Sequence, residues 1–174
     1  MAITKFDHIA LIVDDLDASL MHFRQIFDFE DSEMIYERDY NDVNPETGAS
    51  DVMHTALFPV GEVYFELIEP VSDGPMKKFL ERTGGGIHHI GITSDDLREE
   101  WKRHASADVG VVGDKPRVDQ FHVSYWFLHP KNNHRVLFEV DAAWAKTSVS
   151  DMTPIEPTPD WDSELELTSS SAEG

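Results

Sequence analysis

Phe6-Asp7-His8-Ile9-Ala10-Leu11-Ile12-Val13-Asp14-Asp15-Leu16 returns 81 residues later as Ile87-His88-His89-Ile90-Gly91-Ile92-Thr93-Ser94-Asp95-Asp96-Leu97, with the histidine, the following isoleucine and the Asp-Asp-Leu ending unchanged. A second pair, Val63-Tyr64-Phe65-Glu66 and Val136-Leu137-Phe138-Glu139, repeats at a spacing of 73. A repeat of this length marks two copies of one supersecondary unit. The shorter second spacing puts about eight extra residues in the first copy, and the polar stretch 41–48 is the place for them.

Each copy reads as strand, helix and three strands. Residues 6–13 form an apolar strand, Asp14-Asp15 offers helix N-caps, and Leu16, Leu20, Phe23 and Phe27 then recur at helical spacing. Strands are expected near 30–38, 52–59 and 62–69. In the second copy they are expected at 87–93, near 109–112, 121–128 and 135–140, with a helix from Asp95 to His104 carrying Leu97 and Trp101. The chain therefore divides into a first βαβββ module (1–70), a linker with a short helix (71–86), a second module (87–144) and an acidic tail (145–174). The tail, with three prolines, a serine-rich end and seven acids against one lysine, is expected to be disordered.

Composition narrows the chemistry. With no cysteine, disulfides and thiolate sites are excluded, so any metal must sit on histidine and carboxylate. A net charge of −20, from 14 basic and 34 acidic residues, argues against nucleic acid and anionic membranes as partners. No apolar stretch is long enough to span a bilayer and the N-terminus lacks a signal-peptide layout, so a cytoplasmic location is expected.

Side chains alternate across a strand, which says where each polar residue points. His8 shares its face with Phe6, Ala10 and Ile12, and His89 with Gly91 and Thr93, whereas Ile9, Leu11 and Val13 suit the face beneath the helix. Glu66 and Glu139 oppose the apolar residues beside them in the same way. Polar side chains on an inner face need partners or a metal. Two imidazoles and two carboxylates make an N₂O₂ set for one divalent ion per chain, Co, Ni, Mn, Fe or Zn, with two positions left for adjacent oxygens of a small-molecule substrate. His88, of opposite parity, reads as structural.

Seven stretches, among them Asp7-His8-Ile9-Ala10, Asn44-Pro45-Glu46-Thr47-Gly48, Glu66-Leu67-Ile68-Glu69-Pro70, Gly86-Ile87-His88-His89-Ile90 and Phe127-Leu128-His129-Pro130-Lys131, resemble in order the vicinal-oxygen-chelate superfamily, and within it the methylmalonyl-CoA epimerases. The resemblance covers about residues 4–141 and implies an α+β fold. Its paired βαβββ modules form a cup-shaped, partly open eight-stranded mixed sheet, with His8, Glu66, His89 and Glu139 as ligands. It implies a metal-dependent epimerase moving a proton at a carbon next to a metal-bound carbonyl, and a homodimer. The substrate would be methylmalonyl-CoA or a cyclitol ketone of the 2-epi-5-epi-valiolone kind. A glyoxalase I-type lyase, an Fe(II) ring-cleaving dioxygenase and a metal-free binding protein are the alternatives. Aligning Pro59 with Pro130 at a shift of 71 sets His54 against Tyr125 as the catalytic pair, with Asp51 and His122 as substrate-binding residues.

Overall fold

The computed structural model describes residues 3–43, 48, 50–119, 123–148, 151–154, 158–163 and 165. The first module runs β1 (Ile3–Ile12), α1 (Leu16–Phe27), β2 (Tyr36–Val43), β3 (Ser50–Val60) and β4 (Val63–Pro70). After α2 (Pro75–Thr83) the second runs β5 (Gly86–Ser94), α3 (Leu97–Ser106), β6 (Arg117–Val118), β7 (Ser124–Leu128) and β8 (Phe138–Ala142), followed by β9 (Trp144–Ser148) and β10 (Asp151–Pro154). The repeated Asp-Asp pairs do cap the helices: the Asp15 carboxylate accepts from Ala18 N at 2.9 Å and Asp96 from Glu99 N at 3.2 Å.

Eight strands form one mixed sheet in the order β2-β3-β4-β1-β5-β8-β7-β6, the α+β architecture that the resemblance implies. Within each module the first strand runs parallel to the fourth, and the modules join through antiparallel β1 and β5 of the same chain. Helices α1 and α3 cover the outer face. Leu20 of α1 packs with Ala56, Phe58 and Leu67 of the sheet, and Trp101 of α3 with Trp126 and Val140. Burying a ring such as Phe58 stabilises the fold by roughly 2–3 kcal/mol. On the inner face Ala10, Ile12, Met53 and Ile68 pack against Met76, Phe79 and Leu80 of α2, which plugs one end of the cup.

Three strands sit later than expected, for local reasons. Before β2, Asp31–Glu33 turn into a 3₁₀ helix because Glu33 accepts from Glu30 N at 2.8 Å and Glu30 caps in return, so pairing starts at Tyr36. Residues 109–112 give a lone bridge at Val111, flanked by Gly110 and Gly113 at φ 69° and 86°, and pairing resumes at Arg117. His134 and Arg135, both at positive φ, prolong the turn ahead of β8.

The tail also departs from expectation. β9 and β10 form a hairpin within the stretch expected to be disordered, and Trp161 is 5% exposed in the core of the second module. An indole buried against Trp101 and donating from Nε1 to Ser124 Oγ at 3.0 Å offsets the ordering entropy that an acidic, proline-rich composition alone would not.

Candidate metal centre

Register brings the four expected ligands to one place. Across the β1/β5 seam His8 pairs with Gly91 and Ala10 with His89, while the parallel pairings set Glu66 beside Ala10 and Glu139 beside Gly91. Paired residues share a face, so the two small residues form a floor and each is flanked by one imidazole and one carboxylate. A Cβ on Gly91 would fall inside the His8 ring. The space left by the small residue at Gly91 is thus filled by the other module's histidine.

The donor atoms converge. His8 Nε2 and His89 Nε2 face each other at 3.1 Å, and Glu139 Oε2 lies 2.6 Å from His89 Nε2 and 3.3 Å from His8 Nε2. Glu66 Oε2 is 3.8 Å from both nitrogens. Ligands about 2.1 Å from a common centre at right angles stand ~3 Å apart, so these spacings fit a divalent ion held by two nitrogens and two oxygens. His8 and His89 are 8% and 3% exposed, and their charges balance locally. Burial opposes a charged His8, but the hydrogen bond it gives to Asp7 and the carboxylates of Glu139 and Glu66 outweigh it and hold its pKa well above the ordinary value. Burial likewise works against a charged Glu139, yet the imidazoles of His89 and His8 keep it well below the usual carboxylate range.

Three inner-face groups escaped the sequence reading. Asp7 is fully buried, and His8 Nδ1 lies 3.1 Å from its Oδ2. The β1/β5 register steps by one residue between Phe6↔Ile92 and His8↔Gly91, so Asp7 occupies a bulge that turns it inward, and strict alternation cannot see a bulge. Asp141 is 8% exposed, its carboxyl raised well above its usual value by burial and by the Glu139 charge. It lies two residues past Glu139 on β8, so parity could have found it. Trp144 lines the cup and donates from Nε1 to Asp7 Oδ2 at 3.2 Å.

The expected catalytic pair is not brought together. Tyr125 lines the cup and donates from its hydroxyl to Asp42 Oδ1 at 2.6 Å, with its pKa raised by burial and by Asp42. His54 lies on the outer face, 48% exposed, with Nε2 3.5 Å from Asp39. Leu57 pairs with Glu66 and Phe127 with Glu139, so the modules superpose at a shift of 70, and Thr55, not His54, stands where Tyr125 stands. A slip of one residue reverses the face, and anchoring the alignment on the prolines made that slip. Asp51 is on the inner parity of β3, 6% exposed, accepting from Ser72 Oγ at 3.2 Å and from Met76 N at 3.3 Å. His122 lies outside the described residues.

Asp42 also joins the two edges of the sheet. It sits on β2, while its partners Tyr125 and Arg117, the latter at 3.0 Å, come from β7 and β6 at the far edge. The cup is thus closed over its centre by a carboxylate shared between a phenol and a guanidinium.

A family model described as the Glyoxalase/Bleomycin resistance protein/Dioxygenase superfamily matches residues 7–127. The mitochondrial methylmalonyl-CoA epimerase of Dictyostelium discoideum is 25% identical over 81% of this chain and 80% of its own length. The ethylmalonyl-CoA/methylmalonyl-CoA epimerase of Cereibacter sphaeroides is 28% identical over 80% of this chain and 98% of its own. Among solved structures, a variant of Streptomyces coelicolor methylmalonyl-CoA epimerase in complex with 2-nitronate-propionyl-CoA superposes with a TM-score of 0.61 at 31% identity, covering 83% of this chain and all of that one.

Proposed function

The chain belongs to the glyoxalase/bleomycin resistance protein/dioxygenase superfamily, and on that premise we propose that it is a divalent-metal-dependent epimerase acting on a methylmalonyl-type CoA thioester. The observation that supports this most is the convergence of His8, Glu66, His89 and Glu139 on one point at the seam between the modules. A divalent ion held there supplies a Lewis acid for two neighbouring substrate oxygens, which acidifies the C–H bond beside the carbonyl. Co, Ni, Mn, Fe and Zn all suit the donor set.

The residues divide the remaining work. Glu66 and Glu139 would offset the charge of such an ion, and His8 and His89 would bind it through their Nε2 atoms. Met53, Leu57 and Phe127 give the cup apolar walls that exclude water. Inverting a carbon needs proton movement on its two faces, one group taking and another giving. On the β7 side Tyr125 lines the cup, holds its proton at Oη and can give it; Asp51, expected to bind substrate, instead holds the start of α2 through Ser72 and Met76 N. His54, facing solvent, has no part in it. A homodimer goes with this reading, as the resemblance implies.

Solvent-deuterium exchange tests the proposal. Metal-loaded protein is expected to wash deuterium into methylmalonyl-CoA at the carbon between its carbonyls, and Tyr125→Phe to slow this roughly 10²-fold or more. Exchange into a valiolone-type ketone alone would move the substrate to the cyclitols, and no exchange into either would sink the epimerase reading. A glyoxalase I-type lyase is the second reading, favoured by a glutamate at position 66 within 3.8 Å of both imidazoles. Turnover of methylglyoxal with glutathione would establish it instead.

A further inference from the structure

Two of the three register steps in the β1/β5 seam fall beside the histidines of the centre, the third lying between Ile3↔Ser94 and Lys5↔Thr93. Of the two, one falls between Phe6↔Ile92 and His8↔Gly91, the other between Ala10↔His89 and Leu11↔Ile87. The extra residues are Asp7 on β1 and His88 on β5, which are themselves 81 apart, so the two bulges are copies of one another. Each sits directly before a histidine of the centre and turns its side chain onto that histidine's Nδ1. Asp7 Oδ2 is 3.1 Å from His8 Nδ1, and His88 Nδ1 is 2.9 Å from His89 Nδ1. Both outer groups are held in turn: Asp7 by Lys5 Nζ at 2.7 Å and Trp144 Nε1 at 3.2 Å, His88 by the edge of the Phe79 ring with centroids 5.0 Å apart.

We propose that Asp7 and His88 are a matched pair of positioning residues, which place the proton of each ligand imidazole on Nδ1 and leave each Nε2 lone pair aimed at the metal. The inference rests on the four-residue centre proposed above. An imidazole binds a metal through one nitrogen when the other donates its hydrogen to a fixed acceptor, which selects both tautomer and ring orientation. Asp7 can only accept at its ionised oxygens, so His8 must carry hydrogen on Nδ1. His88 reaches the same result by accepting at its own Nδ1 while its hydrogen sits on Nε2. A bulge is the means of delivery, because a regular strand would send the residue before each ligand to the helix side.

The two partners are unequal, and that separates positioning from packing. Behind His8 stands a full negative charge; behind His89 a neutral ring. Removing the charge at Asp7 while keeping an acceptor weakens the His8 bond, whereas swapping one neutral acceptor for another at His88 does not.

The test is titration of the metal-free full chain with Zn²⁺, together with long-range ¹H–¹⁵N spectra of the imidazoles in the Zn²⁺-loaded protein. Asp7→Leu and His88→Leu are expected to weaken Zn²⁺ binding roughly 10- to 100-fold, the range for losing such a partner. His88→Asn, whose amide oxygen still accepts, should stay within about threefold of the unsubstituted protein, and Asp7→Asn should lie between the two leucine variants and it. The spectra should show hydrogen on Nδ1 of both His8 and His89. Leucine variants that bind as tightly as the unsubstituted protein would overturn the proposal, as would hydrogen on Nε2 of either ligand. Equal losses in His88→Asn and His88→Leu would do the same, since they would report packing alone. Failure of the unsubstituted chain to bind Zn²⁺ would remove the centre itself and the inference with it.

Discussion

A methyl group at Gly91 would occupy the space in which the His8 imidazole lies, and Gly91 has no backbone angle that demands glycine, so its role is steric. Gly91→Ala is therefore expected to leave the fold intact while pushing His8 off the centre. Binding of Co²⁺ should weaken by 10-fold or more, in the range seen when a ligand's support is disturbed, with the thermal midpoint of the metal-free chain little changed. Unaltered Co²⁺ affinity would show that His8 does not need that space. The same scale shows what the sequence made legible. The ligands could be read because histidine and glutamate recur at equivalent positions in both copies and parity alone assigns their face. Asp7 could not, since its orientation depends on a bulge. His54 was misplaced by a single residue of shift, which on a strand exchanges inside for outside. His54→Gln should accordingly keep deuterium exchange within about twofold of the unsubstituted rate while Tyr125→Phe loses it, and the reverse ordering would restore the histidine.

Among the elements, α3 carries a titration with consequences for stability. His104 is 4% exposed beneath the helix and accepts from Trp126 Nε1 at 3.2 Å through Nδ1. Burial, followed by the charge of Arg103, lowers its pKa from 6.5 to about 4. The folded chain thus keeps His104 neutral where the unfolded chain takes up a proton. Its contribution is fully present above pH 6.5 and is lost as pH falls from there toward 4. At pH 5 the loss is roughly 2 kcal/mol. Urea unfolding of the protein and of His104→Asn at pH 7.5 and pH 5 should show the original losing that much more between the two conditions. Parallel losses would exclude His104 as the cause. Helix positions were readable because two Asp-Asp caps and a 3.6-residue apolar period agree. Strand edges were less so, because the Glu30–Glu33 capping box and the glycines around Val111 act over only a few residues and leave no period to detect.

For the molecule as a whole, the fold follows from duplication. Two equal modules joined at β1 and β5 must place their matched residues around one axis, so a repeat in the sequence becomes a centre in space. The tail was the part least visible in advance, because its acidic and proline-rich composition masks one indole that packs. Trp161→Ala is expected to cost about 3–5 kcal/mol, measured by denaturant unfolding, and a loss below about 1 kcal/mol would mean that the tail does not stabilise the second module. Closure of the cup by Asp42, Tyr125 and Arg117 also belongs to this scale, since it ties the first and last strands of the sheet across the centre. The most direct test of the account is the metal content of the chain at that centre. Titration of the metal-free protein with Co²⁺ should show a single ion per chain, lost when His8 or His89 is replaced by alanine. A chain that binds no ion, or one whose stoichiometry survives both replacements, would contradict it.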